Sequence, residues 1–313
     1  MNNDAGAGVV CSIAPILRNL GPVSICTQRA TCQLVVSCTS PASAMSSGKE
    51  VAYRYDLFVT PDWRDRFDSL VNESIEMPVE GRILDVNCGT GAHAIELAER
   101  PREKGEVIGL DPSGERIELA RAKAQAKKTK AVRFEQGIAS DLPFESHEFE
   151  AVIGDASMLH SDEIEDVLGE MVRVAAPEGR VILKLTTYGS FGEFFSIYWE
   201  ALHDAGIDDE VWTALERLIN ERLTLSDSEL MAQRSGLRNV ESFISKEEFS
   251  YETAEDFLES PLIKDCFLSD WLEIVPEANR GEARRRIASI IERERHDAPF
   301  DVSIKATVIA GVK

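Results

Sequence analysis

The sequence predicts an α/β fold of the doubly wound kind, built on a mostly parallel sheet. Three observations carry that expectation. Short apolar runs alternate with longer amphipathic stretches through residues 83–185, as buried parallel strands alternate with the helices that cover them. One of these runs, Arg82-Ile-Leu-Asp-Val-Asn-Cys-Gly-Thr-Gly-Ala92, ends in an acid and then in glycines, the order of a strand that delivers Asp85 to a tight turn ahead of a helix. Asp85, Asp111, Ala139, Asp155 and Thr186 all stand at the carboxyl ends of predicted strands, where open α/β sheets bind ligands.

In chain order, residues 62–72 place Trp63, Phe67, Leu70 and Val71 at helical spacing and predict a lead-in helix packed on the sheet. Strands follow at 83–86, 107–110, 132–135, 151–154 and 181–185. Helices begin after the glycine turn, over 92–100, and near Gly114, where Ser113 and Asp111 are natural caps. Residues 237–249 read as a later strand with its exit, and 302–310 as a last strand.

The glycine turn admits two cofactor classes. Gly89 and Gly91 carry no Cβ, so backbone there can approach a ligand closely. Gly89-Thr-Gly-Ala-His-Ala94 satisfies a dinucleotide fingerprint, and Asp111 follows about 20 residues on, where a ribose-binding acid is expected. Against a dinucleotide stands Asp85, whose carboxylate would meet two phosphate charges at a Coulombic cost. A cationic ligand reverses the sign, and the sulfonium and ammonium of S-adenosylmethionine (SAM) make it such a ligand.

The run Leu84-Asp-Val-Asn-Cys-Gly-Thr-Gly91 resembles the first motif of class I SAM-dependent methyltransferases, a Rossmann-like family, and especially the small-molecule group that includes the ubiquinone/menaquinone-biosynthesis C-methyltransferases. Further stretches resemble the family's motifs in its order. They are Gly109-Leu-Asp-Pro-Ser113, Gly137-Ile-Ala-Ser-Asp-Leu-Pro-Phe144, Phe149-Glu-Ala-Val-Ile-Gly-Asp-Ala-Ser-Met-Leu-His160 and Glu170-Met-Val-Arg-Val-Ala-Ala-Pro-Glu-Gly-Arg-Val-Ile-Leu183. The resemblance runs through residues 50–187 and implies a seven-stranded sheet whose last strand is antiparallel. It implies contacts from Asp85, Asn87, Cys88, Gly89 and Gly91 around the methionine moiety, from Asp111 with Pro112 at the ribose, and from Asp155 after the fourth strand. Asn87 replaces the family's usual Gly, and Asn tolerates the left-handed geometry next best. Ile138 stands where many members have an adenine-binding Asp, and Asp141 comes three residues late, so the backbone of Ala139 or Ser140 is expected to serve instead.

Beyond residue 187 the chain holds more than the sheet needs. Two helical insertions are predicted, at 190–225 and 253–297. The first carries Phe191, Phe194, Phe195, Tyr198 and Leu202 on one face, and the second Phe257, Leu258, Phe267, Leu268, Trp271 and Leu272. Such stripes read as core packing. Their place after the fifth strand and before the last also predicts a lid that excludes water and supplies an apolar pocket.

Composition excludes several function classes. The net charge of −21 disfavours nucleic acid as a partner, and Arg284-Arg-Arg286, the densest basic cluster, is ringed by Glu282, Glu292 and Glu294 and reads as a solvated helix face. No apolar run approaches the roughly 18 residues of a membrane span. Cys11, Cys26, Cys32 and Cys38 are irregularly spaced without histidine among them, which predicts neither zinc nor a disulfide framework and makes the cytoplasm the expected compartment. They lie in residues 1–48, whose composition predicts a flexible tail, a leader, or non-native sequence ahead of a start at Met45; the domain proper is 49–313. Cys88 reads as a small packing residue.

Methyl transfer from a sulfonium is an in-line displacement that rests largely on positioning, with a base needed only where the acceptor must lose a proton. The candidate bases are Asp155, His160, Tyr188 and His203, with His160 first and a structural role for it also open. No amino-binding N/D-P-P-Y tetrad and no acidic triad for magnesium is present, so metal independence is expected. The leading expectation is a SAM-dependent methyltransferase with a small, partly apolar acceptor. The alternatives are an NAD(P)-dependent oxidoreductase and a non-catalytic protein that binds partners through its acidic helical C-terminal half.

Overall fold

Seven strands form one sheet in the order β3-β2-β1-β4-β5-β7-β6. They are β1 (Ile83–Val86), β2 (Val107–Asp111), β3 (Val132–Gln136), β4 (Phe149–Asp155), β5 (Ala175–Thr186), β6 (Arg238–Tyr251) and β7 (Phe300–Val312). The computed structural model describes residues 48–100 and 105–313, so the predicted tail and its four cysteines lie outside the described residues. β1 to β5 pair in parallel, and β7 runs antiparallel to both β5 and β6. The strand order reverses between β1 and β4, which aligns Asp85 with Gly109 on one side and Ile153 on the other.

The buried central strands are the apolar runs of the sequence, as expected where helices cover both faces. β6, one of the two edge strands, alternates half-buried and exposed residues and carries Lys246, Glu247 and Glu248, charges that guard an open edge against further pairing. Both late strands extend two residues beyond their predicted carboxyl ends, and β5 begins earlier than predicted because its register with β4 shifts between Phe149 and Ala151.

The lead-in helix differs most from expectation. Helix starts at Gly48, with α1 (Gly48–Arg54), a π-helical segment (Tyr55–Arg64) and α2 (Asp65–Ser74). Pro61 has no N–H to donate, which made residue 62 the natural start in sequence. The structure carries the helix through Pro61 by widening it, with the Asp65 N–H donating to the Thr60 carbonyl five residues back. That segment buries Tyr55, Trp63 and Arg64.

Around the sheet lie α3 (Ala92–Glu99), α4 (Gly114–Lys127), α5 (Ser161–Val174), α6 (Gly192–Asp204), α7 (Asp208–Asn220), α8 (Leu225–Arg234), α9 (Ala254–Glu259), α10 (Pro261–Cys266), α11 (Leu268–Glu273) and α12 (Glu277–Glu294). The aromatic stripes of α6 and of α9 to α11 meet each other and Trp63 in one core cluster. Phe194 lies on Trp271 at 4.3 Å between ring centroids, Trp63 is parallel to Phe191 at 6.0 Å, and the Tyr198 hydroxyl donates to the Trp271 carbonyl at 2.6 Å. The expectation that the first stripe supplies an apolar pocket is therefore corrected at Phe194 and Tyr198, which are packed ring against ring. Their partners arrive from segments far along the chain, so one helix's own spacing could not separate pocket from core.

Candidate active site

At the end of β1 the chain turns through three left-handed residues, Asn87, Gly89 and Gly91, with φ of 56°, 59° and 76°. A Cβ on Gly91 would stand 2.6 Å from the Phe134 ring, so sterics as well as φ require glycine there. Asn87 secures its own strained position, since its Nδ2 donates to the Asp155 carbonyl at 2.9 Å. Cys88 is buried with its Sγ beside Gly109, and burial pushes its thiol well above the ordinary range, so it fills space.

Two acids flank the turn and differ in satisfaction. Asp111 Oδ2 accepts the Gly89 N–H at 2.8 Å and its Oδ1 accepts the Ser113 N–H at 2.9 Å, tying β2 to the turn. Asp85 is fully buried, and neither carboxylate oxygen has a hydrogen-bond partner. Burial pushes its carboxyl upward, opposed by Lys184, His93 and Arg64.

A cleft of about 390 Å³ brings together Asn87, Pro112, Ile138, Ala139 and Ser140. Asp162 and Glu163, in the first turn of α5, also line it, and the sequence reading did not single them out. Asp141 folds back to bridge Ile138, its N–H donating to the Ile138 carbonyl at 3.2 Å.

Beneath the strand ends lies a buried ion cluster that the sequence reading missed. Lys184, fully buried on β5, reaches Asp68 at 2.6 Å and Asp155 at 3.5 Å. Arg64 stands 3.2 Å from Asp155, and its Nη1 donates to the Tyr55 hydroxyl at 3.3 Å, while its Nη2 is buried without a partner. His93 Nδ1 lies 3.3 Å from Asp68. Burial raises the Asp155 carboxyl, but Arg64, Lys184 and the Ser157 hydrogen bonds outweigh it and hold it at about 2. The Asp155 carboxylate, a predicted cofactor ligand, is thus engaged inside the protein. The signal available in sequence was a charge inside an apolar strand, Val181-Ile-Leu-Lys-Leu185.

A second, small cavity opens at the ends of β4 and β5, walled by Met158, His160, Glu221, Arg222, Phe267 and Trp271 among others. His160 Nδ1 and a Glu221 carboxylate oxygen are 2.5 Å apart, and that hydrogen bond, ahead of the opposing effect of burial, raises the imidazole above its ordinary value. Tyr188 lies in a different groove with Trp199 and Trp212, and His203 is stacked on Trp199 at 5.6 Å. Of the four candidate bases, then, His160 alone lines this cavity.

Among the described residues no helix is long and apolar enough to cross a membrane, and no group of three or more His, Cys, Asp or Glu is arranged to hold a metal ion.

The family model described as a methyltransferase domain matches residues 79–244, more than half of the chain. The chain is similar to demethylmenaquinone methyltransferases. It is 36% identical to that of Lactococcus lactis over 121 residues, covering 38% of this chain and 48% of the relative. It is 35% identical to that of Thermus thermophilus over 161 residues, covering 48% and 70%. The chain spans about half the length of the first of these relatives and of its Deinococcus radiodurans counterpart. Among solved structures it is similar in fold to YcgJ of Bacillus subtilis, with a TM-score of 0.52, 22% identity and coverage of 80% of this chain and 98% of that one. It is also similar to phosphoethanolamine N-methyltransferase 2 of Haemonchus contortus, with a TM-score of 0.51, 16% identity and coverage of 85% and 57%. With the glycine turn, the acids at the ends of β1, β2 and β4, the antiparallel seventh strand and a family match over most of the sheet all in agreement, this chain belongs to the class I SAM-dependent methyltransferase family.

Proposed function

We propose that this chain transfers a methyl group from SAM to a small aromatic, partly apolar acceptor. The observation that carries the reading is the Asp85 carboxylate, buried with both oxygens unpartnered beside the glycine turn. A buried carboxylate left without partners costs stability, and a cationic ligand removes that cost. The residues around it fit the rest of the cofactor. Arg64, with its unpartnered Nη2, suits an amino-acid carboxylate; Asp111 retains lone pairs for ribose hydroxyls; the cleft of Asn87, Pro112, Ile138, Ala139 and Ser140 suits the adenine, with Asp162 in the same cleft for its amino group. When bound, the cofactor supplies a methyl group already activated by its positive sulfur.

The acceptor is assigned to the cavity at the ends of β4 and β5, whose space of about 40 Å³ has to widen to admit a ring. Phe267, Trp271 and Met158 offer flat and deformable apolar walls for a ring, in keeping with the quinone-directed names of the relatives. Glu221 orients the His160 imidazole through Nδ1, which leaves Nε2 to accept a proton from an acceptor hydroxyl or acidic carbon. The lid reading of α6 to α11 rests on Phe267 and Trp271, which line that cavity, and it would keep water from the reacting atoms.

Titration calorimetry of the full chain with SAM, its demethylated product and NADH tests the assignment. SAM and the product are expected to bind and NADH to give no heat. Asp85→Asn is expected to weaken SAM about tenfold without lowering the melting temperature, because the folded protein holds that carboxyl above its unfolded value and its ionised form opposes folding. Tight NADH binding with no response to SAM, or SAM affinity indifferent to Asp85→Asn, would overturn the reading.

A further inference from the structure

The sheet face that carries Asp85 ends in a layer of charge. Ile83, Ile153 and Ile182 pack in one apolar cluster with Val71 of α2 and Ala94 of α3. Two residues further along each strand, and so on the same face, stand Asp85, Asp155 and Lys184. The register sets Asp85 level with Ile153 and Ile182, one pleat short of Asp155 and Lys184. Arg64, Asp68 and His93 join this layer from the π-helical segment, α2 and α3. Further titratable neighbours are the Cys88 thiol, which feels both Asp85 and Asp111, and the Tyr55 hydroxyl, held by Arg64.

The charges in this layer do not balance. Arg64 and Lys184 face the carboxylates of Asp68, Asp85 and Asp155, so that anions outnumber permanent cations. Asp68 and Asp155 hold direct ion pairs, and the surplus therefore rests on Asp85, whose oxygens have no partner. A buried carboxylate in that position takes up a proton unless a cation holds it charged, and a neutral carboxyl offers little to a cationic ligand. Burial pushes the Asp85 carboxyl upward, and Lys184 is the first of the groups that oppose it, ahead of His93 and Arg64. The Lys184 ammonium stays charged because Asp68 and Asp155 outweigh its own burial.

We propose that Lys184 is a positioning residue for the cofactor: buried behind the strand ends, it keeps Asp85 a carboxylate through neutral pH, so that SAM meets a charge already in place. It acts through Asp85, and the inference rests on reading Asp85 as the partner of the SAM cation. Arg64 does not replace it, since its guanidinium is assigned to the amino-acid carboxylate of the same ligand.

The pH dependence of SAM affinity tests this. Titration calorimetry of the full chain between about pH 5.5 and 7.5 stays below the range in which an α-amino group loses its proton. Wild-type affinity is expected to change by less than about threefold across that interval. Lys184→Met is expected to lose affinity as pH falls, by up to about tenfold per unit, the limit for one proton taken up by Asp85. Lys184→Arg, which keeps the cation, should hold the wild-type profile. A uniform weakening of Lys184→Met at every pH, the mark of a lysine that serves only the fold, overturns the proposal. Where the methionine variant does not fold, calorimetry of the wild type at about pH 6.5 in two buffers of different ionisation enthalpy counts the protons released on binding. None is expected; a proton whose release disappears in Asp85→Asn overturns the proposal. Wild-type protein that binds no SAM at any pH counts instead against the methyltransferase reading. The ionisation of Asp85 then stays readable without ligand, as the pH below which the wild type gains stability over Asp85→Asn. That pH should rise in a Lys184→Met background, and its failure to rise removes Lys184 from the role.

Discussion

At the glycine turn, residues 85–91 and Asp111 build their part of the carboxyl edge from a contiguous loop, left-handed backbone and N–H groups given to a strand-end acid. At the cavity beyond the ends of β4 and β5, His160 comes from the β4–α5 connection, Arg222 from the α7–α8 connection and Trp271 from α11, segments far apart in the chain. The first region is specified locally and supported from below by the ion cluster of Lys184, Asp68, Asp155 and Arg64. The second is specified by long-range packing and supported by rings. A local turn can be shared across a family with many acceptors, whereas a cavity of distant side chains is free to change with the substrate.

The difference can be broken most forcefully at Lys184. Lys184→Met leaves Asp68 and Asp155 without their shared buried cation and is expected to cost about 3–5 kcal/mol, measured by urea denaturation at pH 7. Adding Asp68→Asn should return part of that loss. The same cluster sets an acid limit. The Asp155 carboxyl is held below its unfolded value, so it contributes stability above about pH 4 that is lost as pH falls toward about 2, and the melting temperature of the wild type should drop across that interval.

In the helical half, Phe194→Ala is expected to cost about 3 kcal/mol, because Phe194 sits between Trp271, Tyr198 and Phe257 in the aromatic cluster. Denaturant unfolding again provides the measure. A near-neutral result would return this residue to the pocket wall and erase the contrast between packing and recognition.

The smallest expected effect is at Glu221. His160 titrates above its ordinary value through the Glu221 hydrogen bond, so the neutral, proton-accepting form is lost as pH falls through that raised value. Glu221→Gln should move the acid limb of the pH–rate profile downward, by less than about one unit for a half-exposed pair, and lower the rate at pH 8. The stability linked to the raised imidazole has the opposite sense to that of Asp155, being complete at low pH and lost as pH rises through the raised value. An acid limb that does not move in the variant would remove His160 from the proton path.

Legibility followed the same division. The placement of Asp85, Asn87, Gly89, Gly91, Asp111, Pro112, Ala139 and Ser140 around the turn and the neighbouring cleft was readable because strand ends and tight turns leave their pattern in consecutive residues. Arg64 and Lys184 were not singled out, since a buried charge becomes intelligible only beside its partners, and Asp68 and Asp155 come from other elements. Tyr188 was a candidate base beside His160, yet the chain leaves β5 toward the α6–α7 groove and carries Tyr188 there. The helix through Pro61 was hidden by the residue that ordinarily starts one.

The sequence by itself determined the alternation of buried strands and covering helices, the turn at Gly89 and Gly91 and the two acids beside it, because each depends on the residues' own backbone preferences and on apolar period. Only the tertiary structure decided that Asp85 is left unpartnered while Asp111 and Asp155 are engaged, and that the α6 stripe is core. Those outcomes depend on which side chains distant elements bring within hydrogen-bond reach, a distance of about 3 Å that no spacing along the chain encodes.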